Sequence, residues 1–331
     1  MKKFDVFGIG NALVDYEFEV SPEHLKKLGI EKGIMTLIDE EKQNTLLEHF
    51  HIHDGKKASG GSAANTLIAI SQFGGKTFYT CRVANDEWGD FYCEDLKRAG
   101  VESNITLTER PDGHTGKCIV LVTPDADRTM NTHLGITAGL SINDVVEEPI
   151  RNSKYVYIEG YLVTNENAKH AAIHTKSIAE AAQVKTSLSF SDPAMPMYFR
   201  TGLLEILGKN GVDLLFCNED EAKAFAETND LSVAINVLKN HAKTFAVTRG
   251  KFGSLVYDGS REINVPPHSI HALDSTGAGD MYAGAFLHSI TNGDSYEQAG
   301  RLASLASARI VGQFGPRLEE PDARAILHEF T

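Results

Sequence analysis

A chain of 331 residues with 42% hydrophobic content has the material for a core without staples, and a formal net charge of −13 argues against nucleic acid or an anionic membrane as its main partner. Its four cysteines, Cys81, Cys93, Cys118 and Cys217, stand without a C-x-x-C pair, which suggests neither a zinc knuckle nor a disulfide framework and points to reduced thiols in a cytoplasmic setting. No apolar run approaches the roughly 18 residues of a membrane span.

The chain opens on MKKFDVFGIGNALVDYEF. Asp5 and Asp15 interrupt the apolar run and no small-residue cleavage site follows, so the segment reads as a first strand and not as a signal peptide. Leu13 occupies the third glycine position of a dinucleotide fingerprint, so G-x-G-x-x-G fails. Over 13–38, LVDYEFEV and GIMTLI alternate as strands do. His49, His51 and His53 follow an amphipathic helix with no matching cluster, and read as a solvated helix end more readily than as metal ligands. GGSAANTLIAISQFGG, 60–75, carries a helical stripe through Ala64, Leu67, Ile68 and Ser71, with Asn65 turned away near the first turn. The paired glycines permit close approach by a ligand and the asparagine suits a polyol; a tight turn with Ser62 capping the helix accounts for the same residues equally well. GGKT, 74–77, is no Walker motif, because Ile70 stands where the first glycine is required.

TFYTCRVA is expected to join FDVFGIG in one sheet. Over 106–134, GKCIVLVT and RTMNTHL are strand-like, with Pro111, Asp112, Gly113, Pro124 and Asp125 as turn residues. With no helices between their strands, 13–38 and 106–134 are expected to form a small second sheet covering a ligand cleft; its hydrophobic face could also make a homodimer. From Tyr155, short apolar strands (YVYIEGYLV, VKTSLSFSD, VDLLFCN, TFAVTRG) alternate with helical patterns around 167–182 and 198–207 and two further stretches. That rhythm predicts an α/β fold, a doubly wound, Rossmann-like, mostly parallel sheet flanked by helices, in one domain over 1–331. Near the end, DSTGAGDMYAGAFL places Ala278, Met281, Tyr282, Ala285, Phe286 and Ser289 on one helical stripe, so a helix starts near Gly277. Its first amides, beside Gly277, Ala278 and Gly279, describe an anion site.

In this order and separation, GGSAANTLIAISQFGG and DSTGAGDMYAGAFL resemble the two signature motifs of the ribokinase-type, or PfkB, carbohydrate kinase family, and the resemblance covers essentially the whole chain. It implies transfer of the ATP γ-phosphoryl group to a sugar or nucleoside hydroxyl, on a Rossmann-like core with a β-sheet lid. Amides around Gly277, Ala278, Gly279 and Asp280 would form the anion hole and Asp280 would take the proton of the attacking hydroxyl, which is the arrangement phosphoryl transfer wants; an ordinary first-turn acid is the bland alternative. The family pattern likewise implies that Asp15, with Asn11, Gly60, Gly61 and Asn65, holds acceptor hydroxyls, and that Arg128 reaches the phosphate, an Asx turn and a solvated turn arginine being the competing readings. Asn218 and Glu221 match the N-x-x-E motif linked to Mg2+ and phosphate, and equally a capping box. Thr248, Gly250 and Gly253 resemble the ATP loop, or form a plain hairpin. Asp274, Thr276 and the stretch at Gly315 resemble segments that bind a monovalent cation, so K+ is expected beside ATP and Mg2+.

GNALVDY with GGSAANT, DADRTMNTHLG and SFSDPAMPMYFR look more like adenosine-kinase-type members than like ribokinase, with Leu134, Met195 and Phe199 as candidates to rest against a base. The expected activity is phosphorylation of the primary hydroxyl of a ribonucleoside, adenosine first. The alternatives are a ribose or hexose kinase with the same machinery, and a nucleotide- or sugar-binding regulator without turnover.

Overall fold

The structure, a computed structural model, describes residues 2–50 and 56–330. In chain order the strands are β1 (Phe4–Ile9), β2 (Leu13–Glu19), β3 (Met35–Leu37), β4 (Lys56–Gly60), β5 (Thr77–Thr80), β6 (Val101–Ser103), β7 (Thr115–Val122), β8 (Arg128–Gly135), β9 (Ser153–Glu159), β10 (Lys185–Ser189), β11 (Val212–Asn218), β12 (Ala242–Thr248), β13 (Ser254–Tyr257) and β14 (Glu262–Val265). They form a nine-stranded sheet, β14-β13-β12-β11-β10-β9-β1-β5-β6, and a five-stranded sheet, β3-β8-β7-β2-β4.

The large sheet is parallel from β12 to β6 and antiparallel only at β12–β13 and β13–β14. Its inner strands are apolar on both faces because both are covered. Along β9, Tyr155 and Tyr157 enter one core with helices Ser62–Gln72, Ala278–Thr291 and Tyr296–Val311, while Val156 and Ile158 enter a second core with helices Glu166–Ala181, Arg200–Leu207 and Leu231–Leu238. This is the expected doubly wound sheet. The chain runs from β1 outward to β5 and β6, then returns to β9 on the other side of β1. The carboxyl ends of β1 and β9 therefore diverge at a topological switch point, where open α/β sheets receive ligands.

The small sheet is mixed: β2–β7 and β3–β8 are parallel, β2–β4 and β7–β8 antiparallel. Four of its strands fall in the two stretches expected for it. Two features differ. The fifth strand, β4, is polar and has no run to announce it; it is recruited by pairing with β2, Tyr16 opposite Lys57 and Asp15 opposite Ala58. A helix, Pro22–Lys27, also stands between β2 and β3, started by Ser21, whose side chain accepts from the His24 amide, and by Pro22 in the first turn. A second helix, Glu40–His49, packs on β7 and β8. Alternate residues of β2, β7 and β8 face the large sheet across a cleft.

Candidate active site

The cleft between the sheets has a volume of about 330 Å3 and is lined by the ends of β1, β9, β11 and β12, by the start of helix Ala278–Thr291 and by the small sheet. The helix begins as expected. Gly277 is its N-cap at φ 74°, ψ 0°, and no side chain caps the amides that follow. The Ala278 amide is engaged, donating to the Ser275 carbonyl at 3.2 Å, which leaves the opening at Gly279 and Asp280. No atom outside the local chain lies within 4 Å of a Cβ built on Gly279, so the approach to that turn is clear.

Asp280 is partly buried and lines the cleft. Its Oδ1 accepts from the Ser62 hydroxyl at 2.6 Å and its Oδ2 from Asn65 Nδ2 at 3.1 Å. Burial pushes its pKa up, opposed by those two hydrogen bonds and by Arg128 and Arg317. Ser62 is no cap: Gly61 holds that position and the serine hydroxyl points at Asp280. Asp15, buried on β2, is raised to about 7, first by burial, with Arg317 opposing and Asp280 and Glu159 adding to the rise.

Gly60 does not line the cleft itself. It makes room for Asp15, since a Cβ there would stand 2.0 Å from Asp15 Oδ2, and one on Gly61 would stand 2.0 Å from the Asn11 carbonyl oxygen. Gly60→Ala should therefore rotate Asp15 out of place and raise the KM for the acceptor by about tenfold or more while leaving the nucleotide KM near its original value, as steady-state kinetics on both substrates will read.

Asn11 faces Glu159, a residue that no sequence motif had singled out. Glu159 Oε1 accepts from the Asn11 amide (3.1 Å) and Nδ2 (2.9 Å), and Oε2 from the Ala63 amide (2.9 Å). It is buried, raised to about 7 by that burial against the pull of its three hydrogen bonds, and ties β1, β9 and the Gly-Gly helix together at the switch point. An acid closing the otherwise apolar strand YVYIE was the one available signal.

Arg128 and Leu134 line the cleft from β8. Arg128 Nη1 donates to the Ser275 carbonyl at 3.1 Å, and the Ser275 amide donates to the Ala126 carbonyl at 3.3 Å, so the β7–β8 turn is docked on the irregular segment that leads into helix Ala278–Thr291. Asn218 and Glu221 form the capping box in full and still line the cleft: Asn218 N and Nδ2 donate to Glu221 at 3.0 and 2.8 Å, and the Glu221 amide donates to Asn218 Oδ1 at 2.8 Å. Burial raises Glu221 to about 8, with the Asn218 amide opposing. Thr248 and Gly250 line the cleft, but Gly253 does not. A one-turn helix, Gly250–Phe252, carries Gly253 onto the hairpin edge, where a Cβ would meet the Val265 carbonyl at 2.0 Å, so its glycine answers to the hairpin.

Asp274 is fully buried. It accepts from the Thr276 amide at 2.8 Å and the Gly315 amide at 3.0 Å, joining the turn before helix Ala278–Thr291 to the segment that follows Val311. Thr276 lines the cleft and Gly315 does not; Thr276 Oγ1 is buried without a hydrogen-bond partner. Among the described residues no group of three or more His, Cys, Asp or Glu is arranged to hold a metal ion. Met195 and Phe199 do not reach the cleft. The short helix Ala194–Tyr198 turns them into the core with Leu203 and Ile206, a direction that sequence periodicity leaves open. His49 lies against His24, with Nε2 atoms 2.8 Å apart, while His51 and His53 fall outside the described residues.

The model of the pfkB family carbohydrate kinases matches residues 30–323. The fold is similar to the crystal structure of adenosine kinase from Sinorhizobium meliloti, at a TM-score of 0.93 and 35% identity with 99% of each chain covered. It is equally similar in shape to a probable sugar kinase protein from Rhizobium etli CFN 42, with a TM-score of 0.93 and 33% identity over 100% of both chains. In sequence, the adenosine kinase of Saccharomyces cerevisiae is 26% identical over 330 residues, spanning 93% of this chain and 95% of its own. With an aspartate at the mouth of an uncapped helix, a cleft at the switch point of a doubly wound sheet and a family match over most of its length, the chain belongs to the pfkB family of carbohydrate kinases.

Proposed function

We propose that the protein moves the γ-phosphoryl group of ATP to the primary 5′ hydroxyl of a ribonucleoside, with adenosine as the acceptor. The observation that carries the nucleoside reading is the wall the small sheet offers the cleft: Leu13, Met35, Leu37, Val120, Met130 and Leu134 face the polar set of Asn11, Asp15, Asn65 and Asp280. A ribonucleoside has a hydroxyl-rich half for the polar side and a flat heteroaromatic half for the apolar side. A free sugar has no flat heteroaromatic half to cover that apolar wall. Similarity to the adenosine kinases of S. meliloti and S. cerevisiae supports the same reading.

In this mechanism Asp15 and Asn65 orient the ribose and bring the 5′ hydroxyl to Asp280. Ser62 and Asn65 hold the Asp280 carboxylate in one orientation, and its burial raises its basicity toward the working pH. As the new O–P bond forms, the hydroxyl proton passes to Asp280 and ADP leaves with the electrons of the broken bond. The amides at Gly279 and Asp280, with the helix dipole behind them, face the charge on the transferring group. Arg128 exchanges the Ser275 carbonyl for a phosphate oxygen. Thr248 and Gly250 border the nucleotide side of the cleft. Magnesium, when bound, would supply charge neutralisation on the nucleotide phosphates, and Glu221, held by Asn218 at the cleft wall, is the residue that would face it. Were potassium bound, the unpartnered Thr276 hydroxyl and the backbone near Gly315, held in place by Asp274, would be the groups to receive it.

The test is ADP release from ATP and magnesium, with and without potassium, over a panel of nucleosides and simple sugars, with Asp280→Asn as the blank. Adenosine turned over ahead of every sugar is the expected result. Turnover on a sugar alone overturns the acceptor assignment, and no turnover on any acceptor overturns the kinase mechanism.

A further inference from the structure

Arg317 takes no part in the mechanism above, yet every nitrogen of its guanidinium donates. Nε bonds Asn65 Oδ1 at 3.1 Å, Nη1 bonds Asp95 Oδ2 at 2.7 Å, and Nη2 bonds Ser59 Oγ at 3.0 Å. The three acceptors belong to helix Ser62–Gln72, helix Glu87–Arg98 and strand β4. Ser59 closes the ring by giving its amide (3.1 Å) and hydroxyl (2.5 Å) to the same Asp95 oxygen. The Arg317 side chain is 14% exposed and that of Asp95 18%, so the pair is shielded well enough to hold a single geometry.

The segment that carries Arg317 is tied equally firmly on its other side. Gly315 donates to Asp274, Gln313 Nε2 donates to the Arg317 carbonyl at 2.7 Å, and a Cβ on Gly277 would stand 2.4 Å from the Pro316 carbonyl oxygen. Arg317 thus joins the edge strand of the small sheet to the loop that abuts the anion turn.

Its effect on Asn65 is directional. An asparagine amide has one oxygen and one NH2 of nearly equal size, and its neighbours decide which way it faces. A guanidinium has donors only, so Oδ1 must face Arg317 and Nδ2 is left to donate to Asp280. Reversed, the amide would set donor against donor on one side and oxygen against carboxylate on the other.

Charge adds a second effect. Asp280 is faced by Asp15 from β2, Arg128 from β8, Tyr157 and Glu159 from β9, Tyr161 just beyond it, and Arg317. Asp15 is faced in addition by Cys118 from β7, and Asp192 and Glu221 face Arg128. Against this acidic set, Arg317 is the charge that opposes the rise of Asp15, and with Arg128 it opposes that of Asp280.

We infer that Arg317 is a positioning residue of the phosphoryl transfer: it fixes the Asn65 amide toward Asp280 and holds β4 and the anion-turn loop in register around the acceptor. The inference rests on the reading of Asp280 as the base.

Its test compares wild type, Arg317→Gln and Arg317→Lys as kcat and KM profiles from about pH 5 to 9. A base must be ionised to act, so kcat/KM rises with pH through the acidic limb, and losing a cation beside the carboxylates moves that limb upward. Arg317→Gln should lower kcat/KM at neutral pH by about 10²-fold, shift the limb up by about one unit and recover part of the loss in alkali. Arg317→Lys keeps the charge without the three-way fork, so the limb should return while the acceptor KM stays raised. A loss in Arg317→Gln that is parallel at every pH, with acceptor KM unchanged, overturns the inference. Should Arg317→Gln not fold, wild-type kcat and KM in Arg317→Lys overturn it instead. A wild-type protein that turns over no acceptor overturns the kinase mechanism itself, before any variant is compared.

Discussion

Asp280→Asn should lower kcat by about 10³-fold while ATP and the acceptor still bind, because it removes only the group that takes the proton. The site tolerates the exchange. The introduced amide can turn its oxygen to Asn65 Nδ2 and its NH2 to Ser62, whose hydroxyl rotates from donor to acceptor, so both neighbours keep a partner. It also removes a negative charge from a pocket where burial already holds Asp15, Glu159 and Asp280 above the ordinary carboxylate range. Its thermal midpoint should therefore stay level or rise. Steady-state turnover, calorimetric binding of each substrate and a thermal melt read the three consequences separately. Turnover within a few fold of wild type sinks the assignment of Asp280 as base.

Gly277→Ala should cost both stability and rate. The residue sits at φ 74°, ψ 0°, a left-handed conformation that costs a side-chain-bearing residue about 1–2 kcal/mol, and the new Cβ would lie 2.4 Å from the Pro316 carbonyl oxygen and 2.8 Å from Pro316 Cα. The obstacle is backbone on both counts, so no side-chain rotation relieves it. We expect a loss of about 2–4 kcal/mol in denaturant unfolding. The relaxation pushes the anion turn away from the 311–317 segment, and a displacement near 1 Å at a phosphoryl site costs about 10²-fold in kcat. Wild-type stability and turnover would show that the amides after Gly277 do not need the geometry seen here.

Spacing alone revealed the helix at Ala278–Thr291 and the parallel core, since a helical stripe of six residues and apolar strands alternating with helices have few other solutions. The cleft gathers Asn11, Asp15, Gly61, Asn65, Arg128, Asn218, Glu221, Thr248, Gly250 and Asp280, residues from separate stretches of chain that meet because strand ends of the large sheet, the starts of helices Ser62–Gln72 and Ala278–Thr291, and β2 and β8 of the small sheet border one cleft. What stayed hidden depended on pairing or direction. Strand β4 exists because β2 offers it an edge, Glu159 stands in no motif, Arg317 closes the stretch at Gly315 with nothing in its spacing to give it a partner, and of the two readings open for the Gly-Gly stretch the cap at Ser62 fails because Gly61 takes that position. Met195 and Phe199, candidates to rest against a base, pack into the core because a helical period fixes a face without saying what that face meets.

The small sheet gives the cleft most of its apolar wall, together with Asp15 on β2 and Arg128 on β8. The carboxyl ends of the large sheet bring Glu159 and Asn218, and the helices beside them Asn65 and Asp280, whereas Leu13, Val120, Met130 and Leu134 come from alternate positions of three strands in the small sheet. Each of those apolar residues stands on a strand of the small sheet, apart from the strand ends of the large one. A descendant of this chain can thus acquire a new taste in acceptors through single heritable substitutions at these apolar positions, provided Asp15 and Arg128 keep their places on the same strands, which makes the architecture a good starting stock for diversification.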